Sequence, residues 1–302
     1  MRSSLFFHAE HAKHDMFASS VQPERSLMFF ENKFHLSNEI FLRTALRQSA
    51  VEYNCRSEDF MQEQSIVTLP CAAPEARKYL TVPFRCSLVS YGKNVVACAE
   101  KELHAELESF LAKNKFYRCF ATPAVLELNN ILAPAGLKVG YMSEYFLPDI
   151  SKIPHFSPVA ANFELRMLGK ADFASLYLPQ WSNALCSERK ELDILGIAAY
   201  DKNVRSVETG EPKLAAFAAC SMDCADMWQI GIDILPEYRG LKLAPALTSR
   251  LTAAIIERGK VPFYCAGWAN IPSVRNAVSS GFRPTWTELS CLPISEDDDA
   301  SV

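Results

Sequence analysis

Hydrophobic positions recur along this chain at two spacings, near 3.6 and near 2, and the switches between them mark out its elements. Behind a Ser37-Asn38 start, Ile40, Leu42, Ala45, Leu46 and Val51 fall near helical spacing, so a helix is expected from Ser37 to about Tyr53. CSLVSY and NVVACA are β-prone runs separated by Gly92-Lys93-Asn94, the pattern of a hairpin. Leu103, Leu107 and Leu111 stand four residues apart, and TPAVLELNNILAPAG carries Pro123 after a Thr cap and closes at Gly136, giving two more helices. LKVGYMSEYFLP returns as a strand. The stretch 148–158 then holds three prolines in eleven positions, which disfavours helix and central strand alike and is the expected linker between two units.

Beyond the linker, FELRML reads as a strand, ADFASLYL as a short helix, SNALCSERKEL as a polar helical or loop segment, and ILGIAAY as a strand. KLAAFAACSMD and MWQIGIDIL are continuous apolar runs rich in small residues, as central strands covered on both faces require. Leu243, Leu247, Leu251 and Ile255 define an amphipathic helix with Pro245 in its first turn and Gly259 after its end. Strand VPFYCAGW, helix NIPSVRNAVSSG and strand PTWTELSCL complete the order. The expectation is an α/β (α+β) fold: a poorly defined segment 1–35, a smaller N-terminal α/β domain 36–150, a mixed sheet flanked by helices over 159–293, and an acidic tail 294–302.

Composition narrows the function. Hydrophobic residues at 49% and charged residues at 22% belong to an ordinary globular chain. A net charge of -4 supplies no basic field to gather phosphates, so no nucleic-acid partner is expected. No run of apolar residues reaches membrane-spanning length, and none of the signals of export is present, so a cytoplasmic protein without a membrane partner is expected. The ten cysteines are spread through strand-like segments and read as reduced thiols. His8, His11 and His14 lie beside Glu10 and Asp15, and Cys220 lies four residues before Cys224, yet neither group has a second ligand set at zinc spacing; no metal is expected.

The chemistry concentrates in IGIDILPEYRGLKLAPALTSRL, where an apolar strand runs through Pro236-Glu237-Tyr238-Arg239-Gly240 into a helix start. Unpaired first-turn amides and the positive helix end converge there, with a nearby Arg suited to a pyrophosphate. This segment resembles motif A of the GNAT superfamily of acyl-CoA-dependent N-acyltransferases: Arg239 and Ala244 fit its Arg/Gln-x-x-Gly-x-Gly/Ala pattern. PFYCAGWANIPSVRNAVSSGF resembles the family's next motif, with Asn270, Ser273, Gly281 and Phe282 at the expected spacing. The resemblance covers roughly residues 163 to 290 and extends, less specifically, to bacterial proteins of the family with an N-terminal extension. It implies a GNAT-like sheet in the C-terminal half; the order helix, hairpin, helix, helix, strand before it loosely echoes part of that half, as a degenerate GNAT-like copy would, and this N-terminal domain is expected to close the acceptor side of the cleft.

The roles it implies are these. Backbone groups of Ile232 and Ile234 meet the pantetheine arm of acetyl-CoA, the co-substrate. Amides of Arg239, Gly240, Leu241, Lys242, Leu243 and Ala244 cradle the pyrophosphate, Asn270 and Ser273 line the arm, and Arg275 reaches the nucleotide end. Trp268, which precedes Asn270 closely, is expected to face the acceptor, a small-molecule or peptide amine. Lys242 stands at a glycine position of the loop pattern and is expected to hold a helical φ. Ala277 stands where many members carry a tyrosine acid, and Trp228 where several carry a glutamate base, with Ile230 on the same face. For the base, Asp226, Glu188, Glu288 and Cys265 remain, Cys265 also as a covalent acyl carrier. The preferred mechanism is direct attack of the amine on the thioester; an acyl-CoA-binding sensor without turnover and a purely structural protein stay open as alternatives.

Overall fold

The computed structural model describes residues 37–153, 157–207 and 210–294. The His8–His14 group, the first 36 residues and the acidic tail from 295 onward lie outside them. Helix α1, Asn38–Glu52, starts where the sequence places it, because the Ser37 hydroxyl accepts from the Ile40 amide at 3.3 Å and so satisfies a first-turn donor. Strands β1 (Ile66–Thr68), β2 (Cys86–Ser90) and β3 (Val96–Ala99), helices α2 (His104–Lys113) and α3 (Thr122–Leu132), and strand β4 (Leu137–Pro148) follow. In α3 the cap is Ala121, and Thr122 is already helical.

After residue 157 come β5 (Phe163–Gly169), β6 (Asp193–Arg205), β7 (Pro212–Ser221), β8 (Met227–Ile234), α4 (Leu243–Ile256), β9 (Val261–Gly267), α5 (Ile271–Ser279) and β10 (Phe282–Pro293). The short helix expected at ADFASLYL is instead a 3-10 turn at Lys170–Asp172. Asp172 turns back to accept from the Gly169 amide at 2.8 Å, and Pro179 opens a second such turn, so the backbone is spent on local caps; Phe173 and Trp181 pin the loop as buried anchors.

Ten strands form one sheet in the order β1-β3-β2-β10-β4-β9-β8-β7-β6-β5. The sheet runs unbroken across the proline-bearing stretch at 148–158: β10, from the chain's end, lies antiparallel between β2 and β4, and β4 pairs with β9. The interleaved region carries a buried ion cluster. Arg77 on the loop after β1, Glu52 at the end of α1 and Glu288 on β10 are each at most 4% exposed, and both carboxylates meet the guanidinium at 2.5 Å. Trp286 Nε1 donates to Glu288 at 2.8 Å, and its ring stacks between Tyr145 and Tyr91 at 4.7 and 5.5 Å.

Under α4, Leu243, Leu247, Leu251 and Ile255 pack on Ala216, Ala218, Trp228 and Ile230, the layer the apolar periodicity anticipates. Two irregularities in this part of the sheet create the site. Parallel strands β8 and β9 pair only through Met227↔Val261, Trp228↔Pro262 and Gln229↔Phe263, then separate although both continue. On β6 the register slips between Asp193, opposite Ser221, and Leu195, opposite Cys220: a β-bulge with one extra residue.

Candidate functional site

The separation of β8 from β9 opens a cavity of about 1160 Å³. At its C-terminal end, β8 passes through a 3-10 turn at Pro236–Tyr238 into extended Arg239, then Gly240 at φ +80° and Lys242 at φ +59°, directly before α4. No side chain among the described residues caps α4, so its first amides stay available to an anion. Pro245 has no amide to offer. Arg239, Lys242 and Arg275 all line this end, so three cations surround an uncapped helix start. Lys242 departs from the expected helical φ: it adopts the left-handed conformation that glycine supplies elsewhere, because the chain must turn sharply from the strand into the helix.

Along the arm of the cavity run Ile232, Ile234, Leu243, Ala244, Asn270 and Ser273. Asn270 caps α5 by accepting from the Ser273 amide at 3.2 Å, and Ser273 shares a 2.8 Å hydrogen bond with the Tyr264 hydroxyl. Asn276 donates to Thr248 at 3.1 Å, tying α5 to α4. Two residues assigned to the site stand outside its lining: Leu241, half exposed on the loop, and Trp268, 44% exposed beyond β9. Ala277 is fully buried in the core under α4.

The two faces of β8 are set by alternation. Trp228 and Ile230 belong to the core under α4, so Gln229, Gly231 and Asp233 face the other way. The loop 182–186 crosses that face. Asp233 accepts from the amides of Asn183 and Ala184, each at 2.9 Å, and a Cβ on Gly231 would lie 1.8 Å from the Asn183 carbonyl oxygen. Glycine is therefore required where the two backbones touch.

The end remote from the turn at 239–244 is polar. Cys186, Arg189, Asp193, Ser221, Gln229 and Cys265 line it. Asp193, Ser221 and Gln229 sit on one row of three neighbouring strands, Asp193 opposite Ser221 and Ser221 opposite Gln229. Burial pushes the Asp193 carboxyl up to about 6, against the opposing effect of the Cys186 amide and the Tyr177 hydroxyl that donate to it, both at 3.1 Å. Asp223, fully buried, accepts from Ser221 at 2.5 Å and forms an ion pair with Arg189. Residues from before the linker reach this end: the Lys78 amide donates to the Asp223 carbonyl, and the Tyr79 ring lies under Arg189 at 5.5 Å.

No family model and no curated protein matches the chain. Among solved structures it is similar to GNAT-family proteins. One, from Novosphingobium aromaticivorans, is 23% identical over 53% of this chain and 68% of that one, with a TM-score of 0.37. A tandem GNAT protein from the clavulanic acid biosynthesis pathway is 14% identical over 58% and 59% of the two chains, TM-score 0.41. A Salmonella typhimurium protein solved with its cofactor acetyl-CoA is 17% identical over 45% and 96%, TM-score 0.30.

Of the four groups considered for proton transfer, Cys265 alone lines the cavity. Its thiol accepts from the Gln229 amide at 2.9 Å, and burial pushes it up to about 11, so at neutral pH it is a thiol and a poor nucleophile. Glu288 is held in the Arg77 cluster, Asp226 pairs with Arg47 at 2.6 Å near the start of β8, and Glu188 projects into solvent beside Cys186. Asp193 escaped the sequence reading because the bulge that aims it leaves no mark in a hydrophobic pattern. Its position at the start of ILGIAAY, on a strand neighbouring MWQIGIDIL by one, was the only available hint. No group of three or more His, Cys, Asp or Glu residues converges as a metal site among the described residues.

Proposed function

We propose that the protein is an N-acyltransferase that moves an acetyl group from acetyl-CoA to a small-molecule or peptide amine in the cytoplasm. The observation that carries the reading is the cavity's polarity. Three cationic side chains and an uncapped helix start form one end, and the split between β8 and β9 leads from there toward a carboxylate-bearing end. From Gln229 to Ile234 the strand spans about 17 Å at roughly 3.3 Å per residue, enough to separate a pyrophosphate from a reacting carbonyl.

The residues present fit the co-substrate. Arg239, Gly240, Lys242, Leu243 and Ala244 would hold its phosphates, with Arg275 toward the nucleotide, while the unpaired edge of β8 at Ile232 and Ile234 would meet the amide-bearing arm as an added strand does. Bound there, acetyl-CoA supplies an activated thioester. The chain's own part is to fix that group in the split, exclude water with loop 182–186, and bring the amine onto the carbonyl carbon for direct attack. Cys265 does not serve an acyl-enzyme route, since burial holds it as a thiol.

The test is calorimetric titration with acetyl-CoA, followed by thiol release across a panel of primary amines. Saturable binding with release for some amine supports the reading; saturable binding without any release would leave a binding protein.

A further inference from the structure

The acceptor's proton must leave before its nitrogen can attack, because an amine of ordinary basicity is almost wholly an ammonium ion at neutral pH. Resting on the acyl-transfer reading above, we propose that Asp193 is the catalytic base that takes this proton, and that the β6 bulge exists in the fold to present it. The bulge decides the matter geometrically. In a regular strand Asp193 and Leu195 would share a face, and Leu195, opposite Cys220, lies in the core under α4. The extra residue turns Asp193 to the opposite face, beside Ser221, where both line the cavity.

Two strand spacings, about 10 Å, separate Asp193 from Gln229, the last residue of β8 paired to β9 before the split. An alkylammonium bridging that interval places its nitrogen between the carboxylate and the thioester. The surroundings suit a base. Both donors to Asp193, the Tyr177 hydroxyl and the Cys186 amide, reach the same oxygen, Oδ2, which fixes the carboxylate plane. The charged and titratable groups around it are Tyr177 and Cys186 from loop 170–192, Arg189 from its 3-10 turn, and Asp223 from the turn after β7, while Cys220 on β7 lies on the other face of the sheet. With Arg189 matched by Asp223, Asp193 leaves this end with a net negative charge that draws a cationic acceptor.

The ammonium gives one proton to the Asp193 carboxylate, which passes it to solvent. The freed nitrogen forms a bond to the thioester carbon as the carbon–sulfur bond breaks, and the nitrogen's second proton ends on the departing sulfur. The products are the acetamide, CoA thiol and one proton.

Asp193→Asn tests this, since an asparagine oxygen can still accept from Tyr177 and Cys186 and the loop keeps its anchor. Acetyl-CoA affinity by calorimetry is expected to stay within a few-fold of wild type, while kcat falls about 100-fold or more. In wild type, kcat should decline as pH drops through about 6, the direction a base demands, and the variant should lose that limb. Independently of turnover, a carboxyl carbon resonance titrating near 6 by NMR should vanish in the variant. A variant with near wild-type kcat and an unchanged pH profile would overturn the assignment, as would a wild-type profile flat through this range. These wild-type measurements decide even if the variant folds poorly. Acetyl-CoA binding with turnover but no role for Asp193 overturns only this inference; a wild type that releases no thiol with any amine overturns the acyl-transfer reading as well.

Discussion

Lys242 carries the main local strain of the site. A side chain at φ +59° costs roughly 1 kcal/mol relative to glycine, and Gly240 two residues earlier occupies the same half of the map without that cost. Lys242→Gly should therefore raise the free energy of unfolding of the ligand-free protein by about 1 kcal/mol, read by denaturant titration, and weaken acetyl-CoA binding by removing one of three cations. A variant less stable than wild type would mean the left-handed turn is not strained. The Arg239-Gly240 turn was legible in the sequence because Pro236 and Gly240 punctuate the chain between an apolar strand and an amphipathic helix. The φ of Lys242 and the aim of Asp193 were not, since backbone sign and a bulge leave the pattern of apolar residues intact.

At the scale of elements, the cavity exists because β8 and β9 part after Gln229 and Phe263, and it is walled on one side because loop 182–186 lies on β8 at Gly231. Gly231→Ala should push the loop away. The expected cost is about 1–3 kcal/mol of stability, with KM for the amine rising much more than the dissociation constant of acetyl-CoA, which relies on the turn at 239–244. Equal effects on both ligands would show that the loop does not separate acceptor from co-substrate. Helices and strands were largely readable from periodicity, α4 and the hairpin above all. The segment 170–192 was not, because Asp172, Pro179 and Asp193 spend its backbone groups on local caps and anchors that compete with any helix.

In the whole molecule, the two halves of the chain share one sheet. A proline-rich stretch reports what the backbone can do locally, not which strands become neighbours, so the insertion of β4 between β9 and β10 could not be read from composition. The Arg77 cluster fastens this arrangement: burial works against the guanidinium's charge, but Glu288 and Glu52 hold it firmly ionised, joining α1, the loop after β1 and β10. Arg77→Met leaves two carboxylates buried together and should cost about 3–5 kcal/mol in equilibrium unfolding. A loss under about 1 kcal/mol would mean that water or relaxation reaches the cluster. Because Arg77 Nη1 also donates to the Tyr79 hydroxyl at 2.7 Å, and Tyr79 lies under Arg189, the same cluster connects the first half of the chain to the polar end of the cavity.

If one end of the cavity holds the phosphates of acetyl-CoA, as proposed, calorimetry on wild type and Arg239→Ala will register it. Wild type should bind saturably and the variant should lose about tenfold or more, the value of one well-placed charged contact of roughly 1.5 kcal/mol. Absence of saturable acetyl-CoA binding by folded wild type, or equal affinity in both proteins, would contradict it.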